Sequence, residues 1–418
     1  MKYGLIGERL SHSFSKEIHE KIGLYDYELC EIPREGLADF MQKRDFLGIN
    51  VTMPYKRDVM DYLDFIDERA KRIGAVNTVV NKDGRLYGYN TDYFGMRSLV
   101  EKHTDTLSGK TVLILGGGGT SNTAYAVATD MDSAQVLRVS RNKKEGFITY
   151  GEAYENYSYA DVIINTTPVG MYPHPCASPI ELSRFKQLSL VIDAVYNPIR
   201  TDLILSAQKM GVAAEGGLYM LVSQAIAAAE LFTGKTLGTS ACNRIYKELL
   251  CEKENIVLIG MPGCGKTTVG KMLAEELDRS FFDTDAIVVE REKREITEIF
   301  SENGEQYFRD AEALAVGETA NEARGAVISV GGGAVLREEN VRALRRTGRL
   351  YFINRQIENI RPTPDRPLAY DTETLKKRYN ERLDIYKSSA DFEIISDEII
   401  EHTLSCIRKD FFNENNGN

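Results

Sequence analysis

Two glycine-rich stretches of different design point to bound phosphate. "GMPGCGKTT" (260–268) fits G-x-x-x-x-G-K followed by Ser or Thr, with Gly260, Gly265, Lys266 and Thr267 in place. In such a loop the backbone N–H groups, here from Gly263, Cys264, Gly265, Lys266, Thr267 and Thr268, cradle the phosphates. The lysine reaches the β and γ oxygens, and the threonine offers its hydroxyl to Mg2+. This predicts a nucleoside triphosphate. The other stretch, "LGGGGTSNTA" (115–124), follows the apolar run "TVLIL" and opens a helix. Gly116, Gly117, Gly118 and Gly119 let the backbone approach a pyrophosphate at the positive end of that helix. Where an NAD site places an acid at the end of the next strand, this chain has Ser140, Arg141, Lys143 and Lys144. Basic and hydroxyl groups there suit the 2′-phosphate of NADP.

A hydride acceptor such as a ketone needs a proton donor beside the developing alkoxide, often a lysine with an acidic partner. "GINVTMPYK" (48–56) and "GYNTD" (88–92) each follow an expected strand and supply Lys56 and Asp92. Around the triphosphate loop, "FFDTD" (281–285) sets Asp283 and Asp285 at alternate positions, so that one serves Mg2+ and the other faces substrate. "ENGEQYFRDAE" (302–312) puts Arg309 and Glu312 on one helix face. "ISVGGGAV" (328–335) is an apolar strand ending in Gly331, Gly332 and Gly333, where a backbone can touch a small ligand. "DRPLA" (365–369) and "ERLDIYKSSA" (381–390) add Arg366 and Arg382. The set describes a small phosphotransferase with arginines for a carboxylate and for phosphate charge.

The elements that must position these groups are short apolar runs alternating with helical segments, from "KYGLIG" and "GINVT" through "TVLILG" and "LVIDAV" to "NIVLIG" and "RLYFI". The alternation predicts an α/β protein with parallel sheets covered on both faces. Polar segments at 101–110 and 246–255 divide the 418 residues into three expected units, about 1–100, 101–250 and 254–411. A net charge of -10 argues against nucleic acid and acidic membranes as partners. Six scattered cysteines without C-x-x-C suggest reduced thiols, and five dispersed histidines offer no metal cluster. No apolar run approaches the roughly 18–20 residues that span a bilayer, and "MKYGLIGERL" does not read as a signal peptide. The expectation is a cytoplasmic, soluble protein, monomer or homodimer.

"SHSFS" (11–15), "GINVTMPYK", "IGAVNTVV" (73–80), "GYNTD", "INTTPVGM" (164–171), "DAVYNP" (193–198) and "GLYMLVSQA" (217–225) occur in the order seen in shikimate dehydrogenases. The resemblance covers residues 1–250. It implies NADPH-dependent reduction of 3-dehydroshikimate to shikimate, with Lys56 and Asp92 as the catalytic pair. Ser13 and Ser15 match hydroxyls that bind the substrate carboxylate. Thr52, Asn77 and Gln224 match contacts to the ring hydroxyls, Tyr196 lines the site, and Thr166 and Gly217 join the cofactor contacts. The implied layout is a substrate-binding domain at 1–100 with a return helix over about 217–250, and a Rossmann-like NADP domain at 101–216. Lys16 stands where this family usually has proline, GGGG replaces GAGG and "SRN" replaces "NRT"; none removes a reacting group.

Residues 254–411 resemble shikimate kinase, with a parallel sheet around the phosphate loop and a tail at 412–418. That resemblance implies that Asp283 holds Mg2+ through water and Asp285 orients the acceptor hydroxyl. Arg309, Arg382 and the Gly331–Gly333 backbone then bind shikimate, Glu312 fixes an arginine, and Arg366 closes over the phosphate in a lid that carries Pro362 and Pro364. Together the two resemblances predict a bifunctional enzyme using NADP(H), ATP and Mg2+, in which one site makes what the other consumes. Two rivals remain at this stage. One is a dehydrogenase fused to a nucleotide-sensing module, and the other is a dehydrogenase acting on quinate with NAD.

Overall fold

A computed structural model describes residues 1–10, 14–360, 372–397 and 399–413. Ser13, Pro362, Pro364 and Arg366 lie outside the described residues, as does most of the expected tail. The chain forms two compact units, Met1–Tyr246 and Lys247–Asn418, so the first two expected units share one body.

The first unit holds two six-stranded sheets. One runs Glu28–Glu31, Tyr3–Gly7, Gly48–Val51, Thr78–Lys82, Arg85–Tyr89 and Phe65–Ile66 in spatial order. It is mixed, which corrects the expectation of parallel sheets throughout: Thr78–Lys82 runs antiparallel to both of its neighbours. The cause is local. In "NKDGRL" Asp83 and Gly84 take φ of 54° and 81°, closing a two-residue hairpin, and the Gly84 N–H donates to Asn81 Oδ1 at 2.9 Å.

The other sheet is parallel, in the order Ala213–Glu215, Leu190–Asp193, Val162–Asn165, Thr111–Leu115, Gln135–Ser140 and Phe147–Thr149. Strand order reverses beside Thr111–Leu115, so the crevice between it and Val162–Asn165 is the place for a ligand. Helix Thr91–Glu101 of the first half packs on helix Leu218–Thr233 at Gly95, where a Cβ would lie 2.5 Å from the Met220 carbonyl oxygen.

The end of helix Thr91–Glu101 is tied down by a half-buried charge. Glu215 accepts from Lys102 Nζ at 2.8 Å and from Tyr246 Oη at 2.9 Å, with His103 at 3.4 Å. Burial alone would raise the Glu215 carboxyl, but His103, Lys102 and Tyr246 more than offset it and hold it down at about 2. A depressed folded value means stability that is present above the usual 4.5 and lost as pH falls through about 2. Acid titration of the melting temperature is expected to show this loss, on the order of 2–3 kcal/mol. The slope should flatten in Glu215→Gln; an unchanged slope would remove Glu215 from the account.

The second unit is a five-stranded parallel sheet in the order Phe281–Asp283, Val327–Ser329, Asn255–Ile259, Gly348–Arg355 and Phe392–Ser396. Its central strand, fully buried, delivers the chain into the loop before helix Lys266–Glu276. Among the described residues no helix is long and apolar enough to cross a membrane.

Candidate active sites

Four consecutive residues at the start of helix Thr91–Glu101 each hold a different part of the first unit. Asn90 caps the helix, accepting from the Tyr93 N–H at 3.2 Å and donating to the Ala75 carbonyl at 2.9 Å. The Thr91 N–H donates to Asn77 Oδ1 at 2.6 Å. Asp92, in a first turn that favours a carboxylate, accepts from Lys56 Nζ at 2.6 Å. Tyr93 Oη donates at 2.8 Å to Asp130, which ends the helix that follows the glycine turn. Lys56 and Asp92 are half-buried, so the ammonium is held in one place yet remains open to a ligand.

The Val51 N–H donates to the Asn77 carbonyl at 2.8 Å, which sets Thr52 beside Asn77 across the sheet. Gln224 is buried, with Nε2 donating to the Leu221 carbonyl at 2.9 Å. Tyr196 packs its ring 5.4 Å from that of Phe14, next to Ser15 at the start of helix Ser15–Ile22, and burial raises the Tyr196 phenol.

At the switch point Gly116 has φ 112°, and a Cβ there would meet Thr166 Oγ1 at 2.8 Å. Thr166 is anchored by donating from Oγ1 to the Leu115 carbonyl at 2.6 Å. Gly117, Gly118 and Gly119 are exposed, and Gly118 and Gly119 have open space where a Cβ would point. The N-terminus of a 12-residue helix therefore faces free volume, as a pyrophosphate needs.

The basic residues of the next strand end divide their tasks. Ser140 Oγ donates to the Asn142 carbonyl at 2.5 Å, so its proton is spent on its own turn. Lys143 pairs with Glu152. Arg141 is exposed. Lys144 Nζ stands 2.5 Å from the point a Gly117 Cβ would occupy and 3.7 Å from the Phe147 ring centroid, overhanging the turn. Sequence reading had grouped Lys144 with its neighbours and could not see this placement. Gly217 has a packing reason of its own, since a Cβ would lie 2.3 Å from the Ala194 carbonyl oxygen.

In the second unit Gly260, Gly263 and Gly265 take φ of 147°, 83° and 102°, conformations that favour glycine. Lys266 Nζ is held over the loop by the Gly260 and Met261 carbonyls at 2.9 and 3.0 Å. Cys264 is buried inside the loop, while Thr267 and Thr268 are exposed. Thr267 Oγ1 donates to Asp283 Oδ2 at 2.8 Å, so two hard oxygen ligands stand together and suit a Mg2+ ion. Asp283 Oδ1 accepts from the Asp285 N–H at 3.1 Å and caps helix Thr284–Glu292.

Beyond the phosphate loop, Arg309 Nη1 donates to Glu312 Oε2 at 2.7 Å, and both are buried. Asp285 Oδ1 and Glu312 Oε1 are sealed from solvent without a donor among the described residues. They converge at Gly331, 2.5 and 2.3 Å from where its Cβ would lie. Burial, then Glu312 and Asp283, push the Asp285 carboxyl up to about 6, and burial also raises that of Glu312. Two orphaned acceptors at one point call for a ligand with hydroxyl donors. The Gly331 N–H donates to Thr284 Oγ1 at 3.2 Å. The Gly332 carbonyl accepts from Arg382 Nη1 at 3.1 Å and from Tyr386 Oη, and the Arg309 guanidinium lies against Gly333. Thr284 and Tyr386 escaped the sequence reading because neither spacing nor residue type marks a residue that works by holding a glycine backbone.

The family model for the shikimate dehydrogenase substrate binding domain matches residues 5–79, and that for shikimate kinase matches residues 262–409. The shikimate dehydrogenase (NADP(+)) of Clostridium perfringens is 37% identical over 270 residues, which cover 60% of this chain and 98% of that protein. The chain belongs to the shikimate dehydrogenase family. Its C-terminal unit is a shikimate kinase domain. The solved shikimate dehydrogenase 1 of Peptoclostridium difficile is 38% identical, covering 60% of this chain and 98% of that one with a TM-score of 0.54. A chorismate mutase/shikimate 5-dehydrogenase fusion from Clostridium acetobutylicum is 37% identical, covering 59% and 96% with a TM-score of 0.56. The dehydrogenase unit is thus matched over nearly the full length of its relatives.

Proposed function

We propose that the chain carries out two consecutive reactions of the shikimate pathway, reducing 3-dehydroshikimate to shikimate and phosphorylating shikimate to 3-phosphoshikimate. The observation that carries the reading is the pairing of Lys56 with Asp92 at 2.6 Å in one unit, alongside orphaned Asp285 and Glu312 oxygens in the other. When bound, NADPH supplies a hydride and ATP a phosphoryl group.

Lys56 gives a proton from Nζ to the oxygen that was the ketone, and Asp92 keeps the ammonium aimed at it. Thr52, Asn77 and Gln224 hold the ring hydroxyls, Ser13 and Ser15 bind the substrate carboxylate, and Tyr196 lines the site. Gly116 to Gly119 take the pyrophosphate, with Thr166 and Gly217 closing the cofactor site. In the kinase unit Asp285 accepts from the hydroxyl that is phosphorylated and holds it in line. Arg309 and Arg382 neutralise the substrate carboxylate, and Glu312 fixes Arg309. Lys266 neutralises phosphate charge, Arg366 joins it, and Thr267 with Asp283 would hold Mg2+. Six free cysteines accord with a reducing compartment, and we place the protein in the cytoplasm.

One assay tests the pairing of activities. With 3-dehydroshikimate, ATP and Mg2+ present, ADP release is expected only when NADPH is added or shikimate is supplied. ADP release indifferent to shikimate would leave the second unit a nucleotide-binding module and end the two-reaction reading.

Cofactor choice gives a separate check. Arg141 is an exposed cation at the strand end where we place the 2′-phosphate, so Arg141→Ala is expected to raise KM for NADPH about tenfold. KM for NADH should stay within about twofold. Equal rises for both would assign Arg141 to the pyrophosphate instead.

A further inference from the structure

A string of buried polar side chains crosses the substrate-binding half behind the Lys56–Asp92 pair. Tyr27 Oη donates to Asn50 Oδ1 at 2.7 Å, and Asn50 Nδ2 donates to Thr78 Oγ1 at 3.0 Å. Thr78 Oγ1 lies 2.9 Å from Thr91 Oγ1, which in turn reaches Asn77 Oδ1 at 3.2 Å and Gln224 Oε1 at 3.5 Å. Asn50, Thr78, Thr91, Asn77 and Gln224 are all buried. Tyr27, also buried, is stacked on the His19 ring with centroids 3.8 Å apart.

Each hydroxyl has one proton to give, which limits how the string can be filled. Tyr27 can only give to the Asn50 carbonyl oxygen, which turns the Asn50 amide group toward Thr78. With one acceptor site filled by Asn50, Thr78 has one proton to give, to Thr91 Oγ1 at 2.9 Å or to Asn77 Oδ1 at 3.2 Å. The Thr91 hydroxyl stands within reach of both amide oxygens beyond and gives its one proton between them, while its N–H holds Asn77 Oδ1 at 2.6 Å. Asn77 Oδ1 is thus filled from within by the Thr91 N–H and by the hydroxyl of Thr91 or Thr78, and Asn77 Nδ2 has no hydrogen-bond partner among the described residues. The side chain offers a ligand a donor and nothing else.

We propose that Thr91 is a positioning residue of the dehydrogenase. Its hydroxyl and N–H lock the amides of Asn77 and Gln224 in the one orientation that presents Asn77 Nδ2 to an oxygen of the substrate ring. This rests on the reading of Asn77 and Gln224 as substrate contacts. An amide pinned as a donor recognises a hydroxyl or a keto oxygen equally well. The contact therefore survives the interconversion of alcohol and ketone, and it acts on substrate binding rather than on proton transfer. Thr91 also precedes Asp92, so the same turn that aims the amides starts the helix carrying the catalytic carboxylate.

The experiment uses the full chain, with initial rates of shikimate oxidation by NADP+. Thr91→Val keeps the shape and the N–H but removes the hydroxyl. It is expected to raise KM for shikimate about tenfold while KM for NADP+ and kcat stay within about threefold. Thr91→Ser, which restores the hydroxyl, should recover KM to within about twofold of the parent. A purely structural threonine would lower the melting temperature of Thr91→Val without this split, and such a result would overturn the proposal. Should Thr91→Val fail to fold, Tyr27→Phe removes the first donor of the string far from the ligand. It must still raise KM for shikimate by two- to threefold, and no change there would overturn the proposal. Asn77→Ala separates the two layers of the argument. If it leaves KM for shikimate unchanged, the substrate reading of Asn77 fails. If it raises KM while Thr91→Val does not, the positioning role alone fails.

Discussion

Lys56→Ala is expected to cut reduction of 3-dehydroshikimate by about 10²- to 10⁴-fold while the same chain phosphorylates supplied shikimate at its normal rate. The size follows from the role: a positioned general acid contributes in that range, and no other ammonium in the described structure is paired with Asp92. Removing Lys56 also leaves the Asp92 carboxylate facing the developing alkoxide, so charge repulsion adds to the lost proton. The selectivity follows from the division of the chain into two compact units, with Lys56 in one and every kinase motif in the other. NADPH oxidation and ADP release, followed on the same preparation, read both activities. Loss of both in folded protein would show that the two reactions do not have separate sites.

The second large effect is at Asp285. Asp285→Asn is expected to lower phosphoryl transfer by about 10²-fold or more, because the acceptor hydroxyl loses the carboxylate that orients it and draws its proton. The same change should raise the melting temperature of the substrate-free protein. Asp285 Oδ1 and Glu312 Oε1 are buried, lack donors and crowd the same point beside Gly331. Holding charge there costs stability, on the order of 1 kcal/mol or more, which a neutral amide relieves. A variant that loses activity and gains stability would show that the site is strained for the sake of its ligand. A variant that loses both would make Asp285 a structural residue. Dehydrogenase turnover serves as the internal control.

Much of this was legible in the residues because the chemistry is local. The phosphate loop and the glycine turn are each a strand, a tight turn and a helix start, and their N–H groups are aimed by backbone geometry that a handful of residues dictates. Arg309 and Glu312 meet because three residues bring side chains to one face of a helix, and their 2.7 Å contact needs nothing distant. The parallel sheet of the kinase domain follows from apolar strands alternating with helices. The mixed sheet is implied by Asp83–Gly84, a two-residue hairpin signal, but the strand after it, Arg85–Tyr89, carries no apolar run that marks it as a strand. Short strands such as Phe147–Thr149 and Ala213–Glu215 are too brief to show a period, and they exist because neighbours in the sheet supply their hydrogen bonds.

Residue types and their spacing are enough for the fold class, the two glycine-rich loops and the groups available for each reaction, since spacing along the chain sets which groups a turn or a helix face can carry. Which of those groups are left open and which are occupied depends on the folded chain. Ser140 is spent on its own turn while Lys144 overhangs the glycines, Asn77 is pinned as a donor, and two carboxylate oxygens are left without partners. Hydrogen-bond partners and burial are set by contacts between segments far apart in the chain. Thr91 and Gln224 are separated by 133 positions, and no local pattern records that they meet.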